Sequence, residues 1–461
     1  MWKSISRTKV LQVPQVSQVC YNEWFMNLPK LGDLGVEGKK VLVRLDLDIS
    51  EGGDMRLTAA LPTLNYLLEK KAKIIIIGHK GRPAATKALA GKPEGINGEL
   101  SLEKTSKKLS ELLSKPIKFI YDIVGQEARD ETEKLQEGEV MCLENLRFDS
   151  REEANDEGFA KSLAGLGDCY VNDAFASSHR EHASIVGIPK YLPRAAGLRL
   201  EREIETLGKD FDKPVVVLIS GIKKDKVEMA EKLSEIYDTV LVGGRLPEYF
   251  GDRALESVQT QTGKLIIGNL IMDKEDISLN TIKRFEIEIE KARTIILAGV
   301  LGKYEDSGHM QGTKEVFTAV AKSNAFKIAG GGDTIAALNS LSLSQNFQWI
   351  STGGGAMIEF LINKTLPGIK VFLGSQNDIN NNKISEIREA IGIFLKEMLV
   401  HRKISIDELQ LYSEKIVDLL PEGLDQNSLD QNILVLNTEI PILKPVTLKL
   451  MSNFSKLTLN V

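Results

Sequence analysis

Two long stretches of the chain alternate short apolar runs with longer amphipathic segments. The runs contain almost no polar residue, as at 73–77, and the segments between them carry apolar residues at helical spacing, as at 59–70. Near-continuous apolar strands separated by helices are typical of a parallel sheet that is covered on both faces. The predicted strands are 41–45, 73–77, 117–121, 140–143 and 169–172 in the first stretch, and 215–219, 239–242, 294–297, 326–329 and 347–350 in the second.

The predicted fold class is α/β, with two Rossmann-like parallel-sheet lobes joined by a hinge and followed by a small α+β C-terminal extension. The hinge is expected where Pro193 precedes a charged helical run. The expected boundaries are 1–188 for the N-terminal lobe, with 1–37 as an extension and first residues, 189–208 for the hinge helix, 209–374 for the second lobe and 375–461 for the C-terminal extension.

The C-terminal extension begins with a polar linker at 375–382 and continues with an amphipathic pattern that predicts a helix at 384–400. Ser405 and Glu408 fit a capping box, which predicts that a second helix starts there. About 30 final residues are rich in Ile, Leu, Val and Thr, a composition that predicts strands. No motif here indicates a chemistry, so packing on the core, self-association and binding of another protein all stay open.

The composition is typical of a soluble globular protein, with 461 residues, 42% of them hydrophobic and 27% charged. The net charge of -5 gives no global reason to expect nucleic acid or membrane as a partner. No apolar run approaches the roughly 18 residues of a membrane span. The N-terminal residues are basic, but Pro14 interrupts any amphipathic helix, so a simple extension and a cytoplasmic location are expected.

Polar side chains cluster near the ends of the predicted strands in the first lobe, where open α/β sheets bind their ligands. Four arginines could converge there on a small polyanion, since a guanidinium binds phosphate or carboxylate through two hydrogen bonds. The alternative is a set of separate surface arginines that form weak ion pairs. The residues concerned are Asp46, Asp48, Arg56, His79, Arg82, Arg147, His179, Arg180 and His182.

The aspartates and histidines of this set allow more than one role. Asp46 and Asp48 could bind a metal, although hydrogen bonds from substrate hydroxyls are favoured. The histidines could act as general bases, or they could contact phosphate or form structural hydrogen bonds beside the arginines.

Glycines mark the corresponding strand ends in the second lobe. The run Gly330–Gly332 lies between a predicted strand and a helical pattern, and it is followed by Asp333 and Thr334. Glycine lets the backbone approach a phosphate, and a helix N-terminus adds free N–H groups. Further glycines follow other strands, as do the lysines at 223, 224 and 226, which could neutralise a phosphoryl group or simply begin a solvated helix. The chain has no complete P-loop or dinucleotide-binding motif, which disfavours those classes.

Five motifs occur in an order and at separations that resemble the phosphoglycerate kinase family. They are Gly-His-Lys-Gly-Arg-Pro at 78–83, Leu-Glu-Asn-Leu-Arg-Phe at 143–148, Asn-Asp-Ala-Phe at 172–175, Gly-Gly-Gly-Asp-Thr at 330–334 and Ser-Thr-Gly-Gly-Gly-Ala at 351–356. The resemblance extends from about Gly38 to Gly374.

The resemblance implies an N-terminal lobe that binds 3-phosphoglycerate or 1,3-bisphosphoglycerate and a second lobe that binds ADP or ATP with Mg²⁺. Positions that match substrate contacts are Asp46, Asp48, Arg56, His79, Arg82, Arg147 and Arg180. Positions that match nucleotide contacts are Lys223, Lys226, Gly243, Gly244, Glu305, Gly331, Gly332, Asp333, Thr334 and Gly353, with Asp333 as the metal ligand. Positions that match catalytic roles are Arg56, Lys223, Gly332 and Gly354.

The implied reaction is the reversible glycolytic transfer of a phosphoryl group from 1,3-bisphosphoglycerate to MgADP, after the lobes close by a hinge. The acceptor in the reverse direction is an ionised carboxylate, so electrostatics rather than a general base would carry the catalysis. A monomer is expected, although the tail could mediate self-association. The alternatives are a degenerate relative that only binds a ligand or protein, and a related carboxylate kinase with another substrate.

The sequence departs from the family pattern chiefly in the second lobe. The family usually has Asn where this chain has Asp48, and its paired lysines are four residues apart, whereas Lys223 and Lys226 are three apart, so Lys224 could replace Lys223. Gly-Gly-Gly-Met-Ala becomes Gly-Gly-Arg-Leu-Pro at 243–247, and Trp-Asn-Gly-Pro becomes Leu-Ala-Gly-Val at 297–300. These changes predict an altered nucleotide preference or a weaker nucleotide affinity.

Overall fold

The computed structural model of the chain describes residues 28–49, 54–83, 98–255, 257–259, 263–373, 387–388, 391–401, 403–420, 431–433, 435–436 and 440–443. Three predictions lie outside these residues, namely the N-terminal extension before residue 28, the polar linker at 375–382 and the final strands from residue 444 onwards. No helix in the described part is long and apolar enough to cross a membrane.

The first lobe is built on a parallel sheet of six strands in the order β3-β4-β2-β1-β5-β6. The strands are β1 (Lys40–Arg44), β2 (Lys73–Ile77), β3 (Ile117–Ile120), β4 (Val140–Leu143), β5 (Cys169–Asn172) and β6 (Arg194–Ala196). The helices are α1 (Met55–Glu69), α2 (Glu103–Leu113), α3 (Gln126–Lys134), α4 (Ser150–Glu153), α5 (Glu157–Ala164) and α6 (Leu198–Gly208). Short 3₁₀ or π turns lie at Leu31–Asp33, Leu146–Phe148, Phe175–Ser177, Ala183–Gly187 and Ile188–Lys190.

The five predicted strands of this lobe are confirmed. Four of them are largely buried, whereas β3, at the edge of the sheet, exposes Lys118. All four residues of β4 and of β5 are buried. The strand β6 lies inside the segment predicted as the connection, and it pairs with β5. Its three residues, Arg-Ala-Ala, are too few and too small to produce an apolar run.

The second lobe contains seven strands in the order β13-β12-β11-β7-β8-β10-β9, all parallel except for β9, which pairs antiparallel with β10. The strands are β7 (Val215–Gly221), β8 (Thr239–Gly244), β9 (Ser257–Gln259), β10 (Lys264–Ile267), β11 (Thr294–Ala298), β12 (Phe326–Gly330) and β13 (Trp349–Ser351). The helices are α7 (Asp225–Ile236), α8 (Leu279–Lys291), α9 (Gln311–Lys322), α10 (Gly332–Ser340), α11 (Gly354–Asn363) and α12 (Pro367–Lys370), and 3₁₀ turns lie at 246–255, Ser344–Asn346 and Val371–Leu373.

Helix α6 links the two lobes through its buried acid, Glu203. At its N-terminus, the Asp173 carboxylate accepts hydrogen bonds from the backbone of Arg199 (2.9 Å) and Leu200 (3.1 Å). One turn later, Glu203 accepts from the indole of Trp349 (2.8 Å) and from the backbone N–H of Thr352 (2.8 Å). The segment that leads into α11 is therefore fixed to the helix that leaves the first lobe.

The chain returns to the first lobe after α11. The backbone N–H of Gly368 donates to the carbonyl of Ser178 (2.8 Å), and the rings of Tyr170 and Phe372 stack with centroids 6.4 Å apart. Residues near 368–372 thus pack on the N-terminal lobe, although they follow the second sheet in sequence.

The C-terminal extension has a hydrophobic core of its own, which includes Ile391, Leu395 and Ile416. Residues 391–400 are helical, and α13 (Ile406–Leu419) begins with the predicted capping box of Ser405 and Glu408. Further core members recur at intervals of three and four, at Ile433, Leu436, Ile440 and Leu443.

The prediction of strands near the C-terminus is wrong at the positions that are described. Residues 431–433 and 435–436 are helical, and Pro441–Leu443 is a 3₁₀ turn. The apolar composition was correctly recognised, but its spacing of three and four residues places one helical face on the core. The described part of the predicted α+β extension is therefore helical.

Candidate active site

Two aspartates fix the loops at the carboxyl ends of the first sheet. Asp46 accepts hydrogen bonds from the backbone of Ala176 (2.7 Å) and the hydroxyl of Ser177 (2.6 Å). Asp48 accepts from the backbone N–H of Gly81 (3.0 Å). The loop after β1 is thereby joined to the loops after β5 and β2, and both carboxylates keep a fixed orientation.

Arg147 is held almost entirely within this edge, with 6% of its surface exposed. Its guanidinium donates to the carbonyl of Gly81 (2.6 Å) and pairs with Glu153 (2.9 Å). Burial, followed by the charge of Arg180, lowers the pKa of Arg147 to about 10. One terminal nitrogen of Arg147 is buried without a hydrogen-bond partner in the described part of the chain, as expected of a group prepared for a ligand.

A cavity of about 460 Å³ opens beside Arg147, and we call it the cationic pocket; it is lined by Arg82, Glu153, His179, Arg180 and His182. Burial and then the neighbouring arginines lower the pKa of His182 to about 3 and lower that of His179 as well. Both imidazoles are therefore neutral, and the arginines supply the positive charge. Several guanidinium groups around one cavity suit a small polyanion.

Arg56 lies where the first lobe meets the second. Its Nε donates to the carbonyl of Thr352 (3.1 Å), and its terminal nitrogen donates to the carbonyl of Asp48. Asp48 also accepts a hydrogen bond from the backbone N–H of Gly81, and the carbonyl of Gly81 accepts one from Arg147. A continuous series of hydrogen bonds therefore joins Arg56 to the cationic pocket. Three of the predicted arginines thus gather around the pocket, and Arg56 is tied to them from the lobe boundary.

Two helix N-termini converge in the second lobe. Gly331 has a φ of 109°, a conformation that favours glycine, and it precedes the first residue of α10. A Cβ on Gly354, the first residue of α11, would lie 2.6 Å from the Cα of Gly331. The two backbones therefore touch, and the free N–H groups of two helices face one region, which favours an anion.

A second glycine pair ends β8. Gly244 has a φ of 59°, and a Cβ on Gly243 would lie 2.1 Å from the side chain of Leu301. The Leu301 side chain thus packs directly on the backbone at this strand end. Gly243 and Gly244 lie at the carboxyl end of β8, and the nucleotide role that the resemblance implies for them stays a prediction.

The lysines after β7 differ in their surroundings. Lys226 is half-buried, and its ammonium donates to the carbonyl of Ser220 (2.6 Å), whereas Lys223 and Lys224 are exposed. Burial, the largest effect, lowers the pKa of Lys226, and the carboxylates of Asp225 and then Asp333 act in the opposite direction. The charge of Asp333 is therefore close enough to act on Lys226.

The remaining predicted nucleotide contacts lie along the same edge. Thr334 is buried, and its hydroxyl accepts a hydrogen bond from the backbone of Gly299 (2.8 Å), while Asp333 and Glu305 are exposed. No group of three or more His, Cys, Asp or Glu side chains among the described residues could hold a metal ion. Mg²⁺ often binds through one carboxylate together with substrate phosphates, and an exposed Asp333 fits that arrangement.

Sequence reasoning missed a buried polar network beneath the cationic pocket. Arg44 is fully buried, and it bonds to His79 and to Ser184, which in turn bonds to Glu152. An arginine inside the apolar run of β1 was a usable signal, because a buried charge requires partners. Glu152 and Ser184 carried no comparable signal, since acids and serines are common on helices and loops.

A family model described as phosphoglycerate kinase matches residues 31–262 and 267–364. The chain belongs to the phosphoglycerate kinase family. This agrees with the resemblance carried by the five motifs. The match to the phosphoglycerate kinase model ends at residue 364, so the C-terminal extension lies beyond it.

Individual phosphoglycerate kinases are similar over nearly their whole length. The protein of Dictyoglomus turgidum is 37% identical over 398 residues, which cover 74% of this chain and 97% of that protein. That of Thermomicrobium roseum is 36% identical, with 74% and 98% covered. The solved structure of phosphoglycerate kinase from Pyrococcus horikoshii superimposes with a TM-score of 0.62 at 30% identity, covering 75% of this chain and 98% of that one. Both lobes of a phosphoglycerate kinase are therefore present here.

Proposed function

We propose that the protein is a phosphoglycerate kinase that transfers a phosphoryl group reversibly between 1,3-bisphosphoglycerate and MgADP in glycolysis. The observation that carries this proposal is the hydrogen bond from Arg56 to the carbonyl of Thr352 (3.1 Å), which joins the cationic pocket to the backbone anion site. Two anion sites that meet at a lobe boundary suit the transfer of a phosphoryl group between two anionic substrates. The name shared by the curated relatives supports the choice of substrates.

The first lobe would bind 3-phosphoglycerate or 1,3-bisphosphoglycerate. Its arginines supply charge-assisted hydrogen bonds to the phosphate and carboxylate, while the neutral imidazoles can donate hydrogen bonds without adding charge. Asp46 and Asp48 would face the substrate hydroxyl with carboxylates that the loops already hold in place. The proposed substrate contacts are Asp46, Asp48, Arg56, His79, Arg82, Arg147 and Arg180.

The second lobe would bind ADP or ATP at the two converging helix N-termini. Asp333 would hold Mg²⁺, and the bound ion would neutralise part of the phosphate charge. Thr334 and Lys226 are already placed by bonds to Gly299 and Ser220, which limits how far they must reorganise when a nucleotide binds. The proposed nucleotide contacts are Lys223, Lys226, Gly243, Gly244, Glu305, Gly331, Gly332, Asp333, Thr334 and Gly353.

Catalysis would rest on positioning and charge. The carboxylate of 3-phosphoglycerate is ionised at neutral pH, so no general base is needed. Arg56, Lys223 and the backbone N–H groups at Gly332 and Gly354 would stabilise the charge that the transferred phosphoryl group carries. Lobe closure would exclude water from the transfer.

A coupled assay tests this function directly. The purified full chain should form ATP from 1,3-bisphosphoglycerate and ADP only when Mg²⁺ is present. GDP belongs in the same assay, because Arg245 replaces a glycine of the family pattern beside Gly244. Absence of turnover with every common nucleoside diphosphate would contradict the proposal and favour a non-catalytic relative. A cytoplasmic, monomeric enzyme is proposed as well, and light scattering of the assayed sample checks its mass.

A further inference from the structure

A carboxylate lies buried beneath the cationic pocket and takes no part in the mechanism proposed above. Glu152, on α4, has no exposed surface. It accepts hydrogen bonds from the backbone N–H of Ser184 (2.9 Å) and from the hydroxyl of the same residue (2.5 Å). Its oxygen also lies 3.7 Å from Nδ1 of His182. A buried acid is costly unless it is paired, so this one needs a structural or functional reason.

The bonds continue from Glu152 towards the substrate side. The Ser184 hydroxyl, which donates to Glu152, accepts from Nε of Arg44 (2.9 Å). Another nitrogen of Arg44 lies 2.7 Å from Nδ1 of His79. A guanidinium has only donors and keeps its charge, so Nδ1 of His79 must be the acceptor. The direction of the bond between Arg44 and His79 is therefore determined.

The tautomer of His79 follows from this direction. An imidazole that accepts at Nδ1 carries its single hydrogen on Nε2 when it is neutral. Burial, followed by the charges of Arg44 and Arg147, holds the pKa of His79 well below its usual range, so the neutral form is present. The ring lies beside that of His182, which lines the cationic pocket, with centroids 6.3 Å apart. Nε2 is thus the nitrogen left for a ligand, and it can only donate.

We propose that Glu152 is a positioning residue that acts through Ser184 and Arg44 to hold His79 as the Nε2–H tautomer, a donor to the anionic substrate of the first lobe. This inference rests on the proposed function. Without the network, the imidazole would exchange its hydrogen between the two nitrogens, and one of the two forms would present a lone pair to the anion.

Two variants remove different parts of the network. Glu152→Gln places an amide donor against Ser184, whose N–H and hydroxyl both donate, so one of the two bonds is lost. Ser184→Ala removes a single oxygen and thereby disconnects Arg44 from Glu152. If Glu152→Gln fails to fold, this second variant still tests the proposal. Glu157→Gln is the control, because this acid is exposed on the neighbouring helix α5 and pairs with Lys161 and Tyr191.

The decisive measurement is a long-range ¹H–¹⁵N spectrum of full-length protein labelled on histidine, since the chain has only 5 histidines. The signal of His79 is assigned from its loss in His79→Gln. We expect a single Nε2–H tautomer from pH 6 to 8 in the wild type and in Glu157→Gln. We expect a mixture of tautomers in Glu152→Gln and Ser184→Ala. This readout needs no enzymatic activity, so it can fail or succeed independently of the proposed function.

Kinetics supply the second readout. In both network variants, KM for 3-phosphoglycerate should rise about tenfold, the effect of weakening one charge-assisted hydrogen bond, while kcat and KM for the nucleotide change less than about threefold. An Nδ1–H or mixed tautomer in the wild type would overturn the proposal. So would an unchanged His79 signal in both variants, or an equal loss of affinity for both substrates.

Discussion

The two proposed anion sites are built from different parts of the chain. In the first lobe, the charged side chain of Arg147 is buried and bonded to the carbonyl of Gly81 and to Glu153. In the second lobe, glycines bring backbone N–H groups together, and the charged side chains of Lys223 and Asp333 are exposed. The first site depends on keeping many side chains in one protonation state and orientation, whereas the second depends on the absence of side chains at a few positions.

The largest expected effect is at Arg56, which links the two sites through its bond to Thr352. Arg56→Ala should lower kcat about 10²–10³-fold, because a preorganised charge at the transferred group is removed. Steady-state assays at saturating concentrations of both substrates would measure this. Arg129→Ala, on the exposed face of α3, is the matched control. A loss below tenfold would mean that the backbone site alone stabilises the phosphoryl group.

A pair of adjacent glycines tests the backbone site itself. Gly354→Ala would place a methyl group 2.6 Å from the Cα of Gly331, whereas a Cβ on Gly355 meets nothing within 4 Å. Overpacking of this kind costs about 1–3 kcal/mol. We therefore expect KM for the nucleotide to rise roughly 10–100-fold in Gly354→Ala and to change little in Gly355→Ala. Equal behaviour of the two variants would show that contact with Gly331 does not shape the site.

Acid stability tests the side-chain site. His182 has a pKa of about 3 in the fold, below its usual value near 6.5, so the unfolded chain takes up the proton first as the pH falls. This group therefore destabilises the fold progressively below pH 6.5, by up to about 1.4 kcal/mol per pH unit. Asp173 has the opposite effect over part of this range. Its pKa is raised to about 7 in the fold, so the folded chain takes up this proton first and is stabilised as the pH falls.

The difference in unfolding free energy between wild type and His182→Gln separates the effect of His182 from that of Asp173. Urea unfolding at pH 6 and pH 5 should show the variant gaining up to about 1.4 kcal/mol relative to wild type at the lower pH. His401→Gln, on the surface of the extension, controls for the loss of an imidazole. A difference that stays constant with pH would mean that His182 is protonated in the folded protein.

The smallest effect is expected outside both sites. Ser405→Ala removes the cap of α13 and should destabilise that helix by about 1 kcal/mol. Hydrogen exchange of the amides in α13 would detect the change. Because the extension has its own hydrophobic core, kcat should stay the same within error. A matching loss of activity would show that the extension supports one of the anion sites.

The sequence predicts most strands of the two sheets but not the short ones. Apolar runs such as those of β2 and β7 were predicted because burial on both faces leaves few polar positions. The strands β6 and β9 have three residues each, and pairing with a neighbour rather than composition defines them. The strand β10 was missed as well, although three of its four residues are buried.

The two proposed sites also differ in how much of each one the sequence predicts. Single glycine runs are often only tight turns, but several at the strand ends of one lobe predict a backbone site, which stays a prediction. The arginines of the first lobe were also visible, but their partners Glu152 and Ser184 come from α4 and the turn at 183–187. Only the folded chain brings those elements together, so the network beneath the pocket could not be deduced from local pattern.

The contact between Gly353 and Ala176 fixes the distance between the lobes at one point. A Cβ on Gly353 would lie 2.5 Å from the Cα of Ala176, so main chain meets main chain there. No rotatable side chain acts as a spacer between the two surfaces. Substitutions elsewhere can change the charge or affinity of either proposed site without adding or removing a spacer at this contact, which is therefore a property of the backbone.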